Sequence, residues 1–212
     1  MTTAASMTYD SLVADIQTYA ERDDEPFVTQ IPRFVMMAEN RIISEIKGLG
    51  FKKVVTTDLS VGTNVIAKPT GWRETISINV TGIDAQRYPL FERTYEYLRM
   101  YWPDDGATDV PKYYSDYDYE HYLIAPTPNN IALMEIHYYE RPEPLSPTNQ
   151  TSWTTQYAPQ LLLYACLLEA QPFLKLDERI QIYQAMFDRA SQSFQIEDKR
   201  RVADRSALVK EA

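Results

Sequence analysis

The densest run of side chains able to do chemistry is Tyr113-Tyr-Ser-Asp-Tyr-Asp-Tyr-Glu-His-Tyr122. Read as a strand, its alternation sets Tyr117 and Tyr119 on one face and the intervening carboxylates on the other. Three uses of such a strand stand open. Its rings pack a lobe core, they form a subunit interface, or they stack a carbohydrate or another small molecule. Tyr113, Tyr114, Tyr117 and Tyr119 are the interface candidates. His121 and His137 fall on adjacent predicted strands and are expected to face each other across a hairpin. As a metal pair they lack a third ligand, and as bases neither has an evident nucleophile.

The remaining candidates are weaker. Cys166 lies in the most apolar segment, where a cysteine acts as a small hydrophobe and not as a reactive thiol. Neither Asp23-Asp24-Glu25 nor Asp104-Asp105 has the spacing of a calcium loop. No phosphate loop, dinucleotide fingerprint, nucleophile elbow or zinc-protease motif occurs. Six glycines leave little material for a phosphate cradle. The chain reads as a non-enzyme without cofactor or metal.

The elements that must carry these residues are organised around Tyr157–Ala170. This segment is apolar on every side of a helix, so it is buried by neighbours on several faces. Its unbroken run Leu161–Leu168 is far short of the roughly 18 to 20 residues a membrane span needs. Pro159 suits its first turn, and Pro172 should stop or bend it. Asp177 then begins a helix with one stripe, Ile180, Tyr183, Phe187, Ala190 and Phe194. At the other end, Thr8 caps a helix to about Glu21, and Ile31-Pro32 opens a second that Gly48 or Gly50 should end. The expected architecture is α+β: a helical bundle from residues 1–50 and 150–196, with an inserted antiparallel β-rich lobe at 51–149.

Within the lobe, Val54–Leu59 reads as a strand and Val61–Val65 as a turn into the next. Ile76, Ile78 and Val80 alternate with polar residues as in a half-buried strand. Phe91–Trp102 reads as a short helix, Tyr113–Ile124 and Ile131–Tyr139 as strands, and Arg141–Thr148 as an extended connector. Residues 197–212 hold five basic and four acidic side chains and no clear apolar stripe. They form either a tail ordered only against a partner or a frayed helix end.

Bulk properties bound the function further. The formal charge is −9, which argues against wrapping nucleic acid through its phosphates. Tyrosine is abundant, 16 against 7 phenylalanines, which favours interfaces. A single cysteine excludes an internal disulfide framework, so synthesis in a cytosol is expected.

An ordered series of segments resembles the head-to-tail adaptor (connector) proteins of tailed bacteriophages, particularly short-tailed ones. The series starts with Met7–Tyr19 and Phe27–Ile42. It continues with Lys68-Pro-Thr-Gly-Trp-Arg-Glu74, Val110–Tyr114 and Ile124-Ala-Pro-Thr-Pro128. It closes with Tyr138-Tyr139, Leu145-Ser146, Trp153 and the helix Tyr157–Ala170. The resemblance implies a structural virion protein made in the host cytoplasm and placed at the head–tail junction. It implies a ring, typically dodecameric, between the portal protein and a tail nozzle or hub protein. DNA would pass through the lumen without sequence-specific binding. The charged tail, with Arg200, Arg201 and Arg205, would reach the portal. A carbohydrate- or small-molecule-binding module using the Tyr-rich strand is the alternative.

Overall fold

Thr8 opens the first helix, α1 (Tyr9–Ala20), through a capping box. Its hydroxyl accepts the Ser11 N–H while the Ser11 hydroxyl accepts the Thr8 N–H. The structure is a computed structural model and describes residues 7–82, 85–175 and 177–209. A single turn, α2 (Glu25–Val28), leads to α3 (Ile31–Glu45), with Pro32 in its first turn. The apolar stripe of α3, Ile31, Val35, Ala38 and Ile42, is buried. After the lobe, Ser152 caps α5 (Trp153–Tyr157), Pro159 begins α6 (Pro159–Leu174), and α7 (Asp177–Val209) follows.

The chain forms two compact units, one from the segments up to Phe51 and from Pro142 onward, the other Lys52–Arg141. In the helical unit α6 is the shared partner of α1, α3, α5 and α7. Leu162, Ala165, Cys166 and Leu167 have no exposed surface. Phe27, Phe34 and Phe173 stack at one place in this unit, with centroids 5.8–6.1 Å apart. Arg41 bridges α3 to α6 by an ion pair with Glu169 at 2.6 Å. Pro172 does not stop α6. A proline this near the C-terminus removes one hydrogen bond, and the helix runs to Leu174 before Lys175 turns left-handed at φ 55°.

Gly48 and Gly50 do not cap α3 either. The helix ends at Glu45, and Ile46 is extended and buried. The glycines serve close packing: a Cβ on Gly48 would lie 2.8 Å from the Phe194 ring, and one on Gly50 2.0 Å from the Trp153 ring. The stripe on α7 is as expected, with Tyr183 and Phe187 buried. Beyond Glu197, α7 continues unbroken to Val209.

The lobe is built on β1 (Lys52–Leu59), β2 (Val65–Ala67), β3 (Trp72–Thr81) and β4 (Arg87–Glu92). A short helix α4 (Tyr95–Tyr101) and β5 (Thr108–Asp109) follow. The rest is β6 (Tyr113–Asp116), β7 (His121–Ala125), β8 (Thr127–Pro128) and β9 (Ala132–Glu140). Among the described residues the main sheet has seven strands in the order β1-β9-β3-β4-β6-β7-β2, and β5 pairs with β8 beside it. The fold class is α+β, as the sequence implies. One pairing departs from the antiparallel expectation: β4 and β6 are parallel. The crossover through α4 is what permits this, because parallel neighbours need a long connection.

The same crossover corrects the reading of Phe91–Trp102, since Phe91 and Glu92 belong to β4 and the helix starts at Tyr95. In β3 the pairing register with β9 shifts between Thr75 and Ser77. That bulge leaves Ile76 at the surface while Ile78 and Val80 stay inside. The lobe core joins them with Leu59, Leu90, Tyr122, Ile124, Met134, Ile136 and Tyr138.

Candidate interaction surfaces

The Tyr113–Tyr122 run is a hairpin and not one strand. β6 ends at Asp116 and β7 starts at His121, paired from Tyr113↔Ala125 to Asp116↔Tyr122. Tyr117 and Tyr119 therefore sit in the loop, and the expected split of rings and carboxylates onto two strand faces does not exist. The turn is built by Asp118, whose carboxylate accepts the Glu120 N–H at 2.7 Å and contacts His121 Nδ1 at 2.9 Å. Local side-chain hydrogen bonds of this kind compete with a continuing strand. Residual desolvation raises the Asp118 pKa, and hydrogen bonds from His121 and the backbone outweigh it, so the net direction is down.

The four tyrosines part company. Tyr119 is 73% exposed and Tyr117 44% exposed, Tyr113 is half-buried, and Tyr114 is buried. Tyr114 is thus corrected from interface candidate to core residue. Its ring meets Tyr122 edge-on at 5.9 Å, and burial pushes its hydroxyl well above the usual range. Tyr122 shares a 2.6 Å hydrogen bond with Thr75, and burial raises its pKa to about 12. The histidines do not face each other. His121 on β7 pairs across to Ala67, and His137 on β9 to Val54 and Ser77. Burial and the nearby Lys52 lower the His137 pKa.

Beneath the hairpin loop lies Lys68, whose side chain is 3% exposed. Its ammonium is 2.7 Å from Asp116, donates to the Asp118 carbonyl at 2.9 Å, and stands 3.7 Å from the Trp72 ring centroid. Tyr119 meets Trp72 edge-on at 6.1 Å. A cavity of about 380 Å³ opens here between Lys68, Trp72, Tyr119, Glu120 and His121. It is a poor platform for a sugar ring, because the protein's own cation already sits over the indole.

A second aromatic group is not legible as a site in the sequence. Tyr97 and Tyr101, four apart on α4, stack at 4.6 Å, and Tyr97 and Trp102 both reach Tyr113, at 6.2 and 5.3 Å. Phe91 joins from β4 at 6.5 Å. The i, i+4 spacing is the available signal, but strand and helix have to be brought together to make the group. Arg93 lies over Tyr97 and Tyr113 at 5.8 and 5.7 Å.

On α7, Arg200 is exposed, while the side chains of Arg201 and Arg205 lie outside the described residues. Among the described residues no group of three or more His, Cys, Asp or Glu side chains is placed to hold a metal ion. Cys166 is fully buried with its thiol pKa pushed up, first by desolvation and then by Glu39. The arrangement can bind surfaces.

A family model described as SU10 adaptor protein matches residues 7–209. The chain belongs to the SU10 adaptor protein family. No curated protein matches it. The adaptor is accordingly a structural bacteriophage protein and a component of the virion, in contact with other virion proteins. That family is not typically enzymatic. No helix among the described residues of the adaptor is long and apolar enough to cross a membrane.

Proposed function

We propose that the adaptor forms a dodecameric ring joining the portal protein to the tail, with a central conduit for DNA during retention and ejection of the genome. The observation that carries this reading is the family match across residues 7–209. In this reading the helical unit, from both chain ends, packs side by side with its neighbours. The end of α7, with Arg200, Arg201 and Arg205, contacts the portal. The lobe, including Tyr113, Tyr117 and Tyr119, meets the tail nozzle or hub protein.

Two physical features support it. A net charge of −9 disfavours adhesion of DNA phosphates to the lumen wall. A 33-residue α7 is about 50 Å long at 1.5 Å per residue, twice the length of the 16-residue α6 it packs on. Its second half begins against the unit's own residues, with the Phe194 ring on Trp153 and the Asp198 carboxylate accepting the Leu49 N–H, and in this reading its last turns, to Val209, engage another chain. Electron microscopy and sedimentation of the purified adaptor, alone and mixed with portal protein, test the proposal. Rings of one copy number are expected. A monomer indifferent to portal protein refutes it.

A further inference from the structure

Phe91, Arg93, Tyr97, Tyr101 and Trp102 gather around Tyr113 in the lobe. They hold each other in place, but the group is not closed to solvent. Phe91 is 56% exposed and Tyr101 58% exposed. Met100, next to Tyr101 in sequence, is 77% exposed. A contiguous apolar surface of this kind marks an interaction site, and Tyr, Trp and Arg are the residues that dominate binding at such sites.

The charges select the partner. Two arginines of this part of the lobe lie over aromatic rings, Arg93 over rings of the group and Arg99 over Tyr95, and they differ. Arg99 is neutralised by Asp105 and also packs over Tyr95. Arg93 is exposed and lies by Tyr97 and Tyr113, and its guanidinium donates to its neighbour's carbonyl, that of Glu92, at 2.9 Å. Among the described residues it pairs with no carboxylate. The Arg93 guanidinium lies within about 6 Å of two rings set 66° apart and keeps N–H donors without a carboxylate partner, the kind of fork that a carboxylate fits. A nucleic-acid strand also uses rings and arginine, but it needs several cations along its phosphates. Here the exposed cations beside the rings are Arg93 and Lys112, too few to track a phosphate backbone, in a chain of net charge −9.

We propose that Phe91, Tyr97, Tyr101, Trp102 and Tyr113, with Arg93 above them, dock a carboxylate-bearing apolar segment of a second virion protein. That the partner is a virion protein rests on the adaptor reading; the surface and its preference for a carboxylate do not. The carboxylate takes the Arg93 fork, and the flanking apolar side chains cover the rings. The aromatic group supplies area, and Arg93 supplies selectivity.

The test uses the full chain and two labelled, end-blocked hexapeptides, one with an aspartate between two leucines and one with asparagine in its place. Fluorescence anisotropy reads the binding. The aspartate peptide is expected to bind about tenfold more tightly, the size of one well-ordered charged hydrogen-bond pair. Arg93→Gln should remove that preference, and Tyr101→Ala should weaken both peptides. Arg87→Gln, at a guanidinium already paired with Glu135 at 3.3 Å, should change neither. Absence of binding, or a preference that survives in R93Q, overturns the proposal. Tighter binding of a short oligothymidylate overturns it in favour of nucleic acid. Self-association that R93Q abolishes and the peptides do not displace overturns it in favour of a second copy. Rings that assemble with portal while the peptide preference is missing overturn this inference alone. The preference without rings overturns the adaptor-ring reading alone.

Discussion

Each unit of the adaptor encloses a charged side chain, Glu39 in one and Lys68 in the other, and the two are treated oppositely. In the helical unit Glu39 is 8% exposed. It accepts one backbone hydrogen bond, from Leu145 at 3.1 Å, and among the described residues no cation offsets its charge. Desolvation raises its pKa to about 7. In the lobe the Lys68 side chain is also enclosed, yet its ammonium has a carboxylate, a carbonyl and two aromatic rings around it. A buried charge is tolerable when its surroundings replace water, and otherwise it tends to neutralise. The helical unit is closed and apolar, with little to give a charge. The lobe has hydroxyls, rings and hairpin carbonyls to offer one, and it shows the excess at its surface.

The sharpest way to break this contrast is to force a charge where nothing can answer it. Leu162→Asp, at a position with no exposed surface, should leave no folded helical unit. An unpaired buried charge costs about 3–5 kcal/mol, a large share of the stability of a typical domain. Circular dichroism during urea unfolding reads it, and a cooperative transition near that of the wild type would contradict it.

Glu39 gives the next effect. Its folded pKa lies above its unfolded value, so the native state holds the proton more tightly. Stability is therefore full below about pH 4.5 and falls as pH rises toward 7, where the carboxylate ionises inside. The loss is on the order of 2–3 kcal/mol. Glu39→Gln keeps the acceptor for Leu145 and should raise stability at pH 8 while leaving it unchanged at pH 4. Equal stability changes at both pH values would disprove the assignment.

Lys68→Met keeps the stem and removes the charge that holds Asp116 and the hairpin. A loss of about 1–2 kcal/mol is expected from the broken charged hydrogen bonds. It should appear as faster amide exchange at Asp116–His121 and not in the helices. The smallest effect belongs to Tyr119→Ala, at the exposed tip of the same loop. It should change unfolding by at most about 0.5 kcal/mol. A larger value would mean that the Trp72–Tyr119 edge contact anchors the hairpin.

The helices are more legible in the sequence than the lobe, for a local reason. Thr8, Pro32, Pro159 and the stripe of α7 act through residues three or four positions away, so their meaning is contained in a short window. The hairpin of Tyr113–Tyr122 escapes such a window because alternation is shared by one long strand and two short ones. Only the Asp118 hydrogen bonds to Glu120 and His121 decide between them. The glycines after α3 look like caps because that is their commonest local use; the rings they accommodate come from Trp153 and Phe194, a hundred residues and more away. The α4 tyrosines have a visible i, i+4 spacing, but nothing in it announces Phe91, Arg93 or Tyr113 as neighbours.

By itself the sequence determined the α+β class, the all-round apolar helix too short to span a membrane, and the acidic balance. These follow from composition and periodicity, which any fold of the chain must satisfy. The tertiary structure alone decided strand order, the parallel β4–β6 pairing, and which rings are core and which are surface. It also decided that Lys68 has partners while Glu39 has almost none. Those outcomes depend on which distant segments meet, and solvation of a charge or a ring is a property of that meeting.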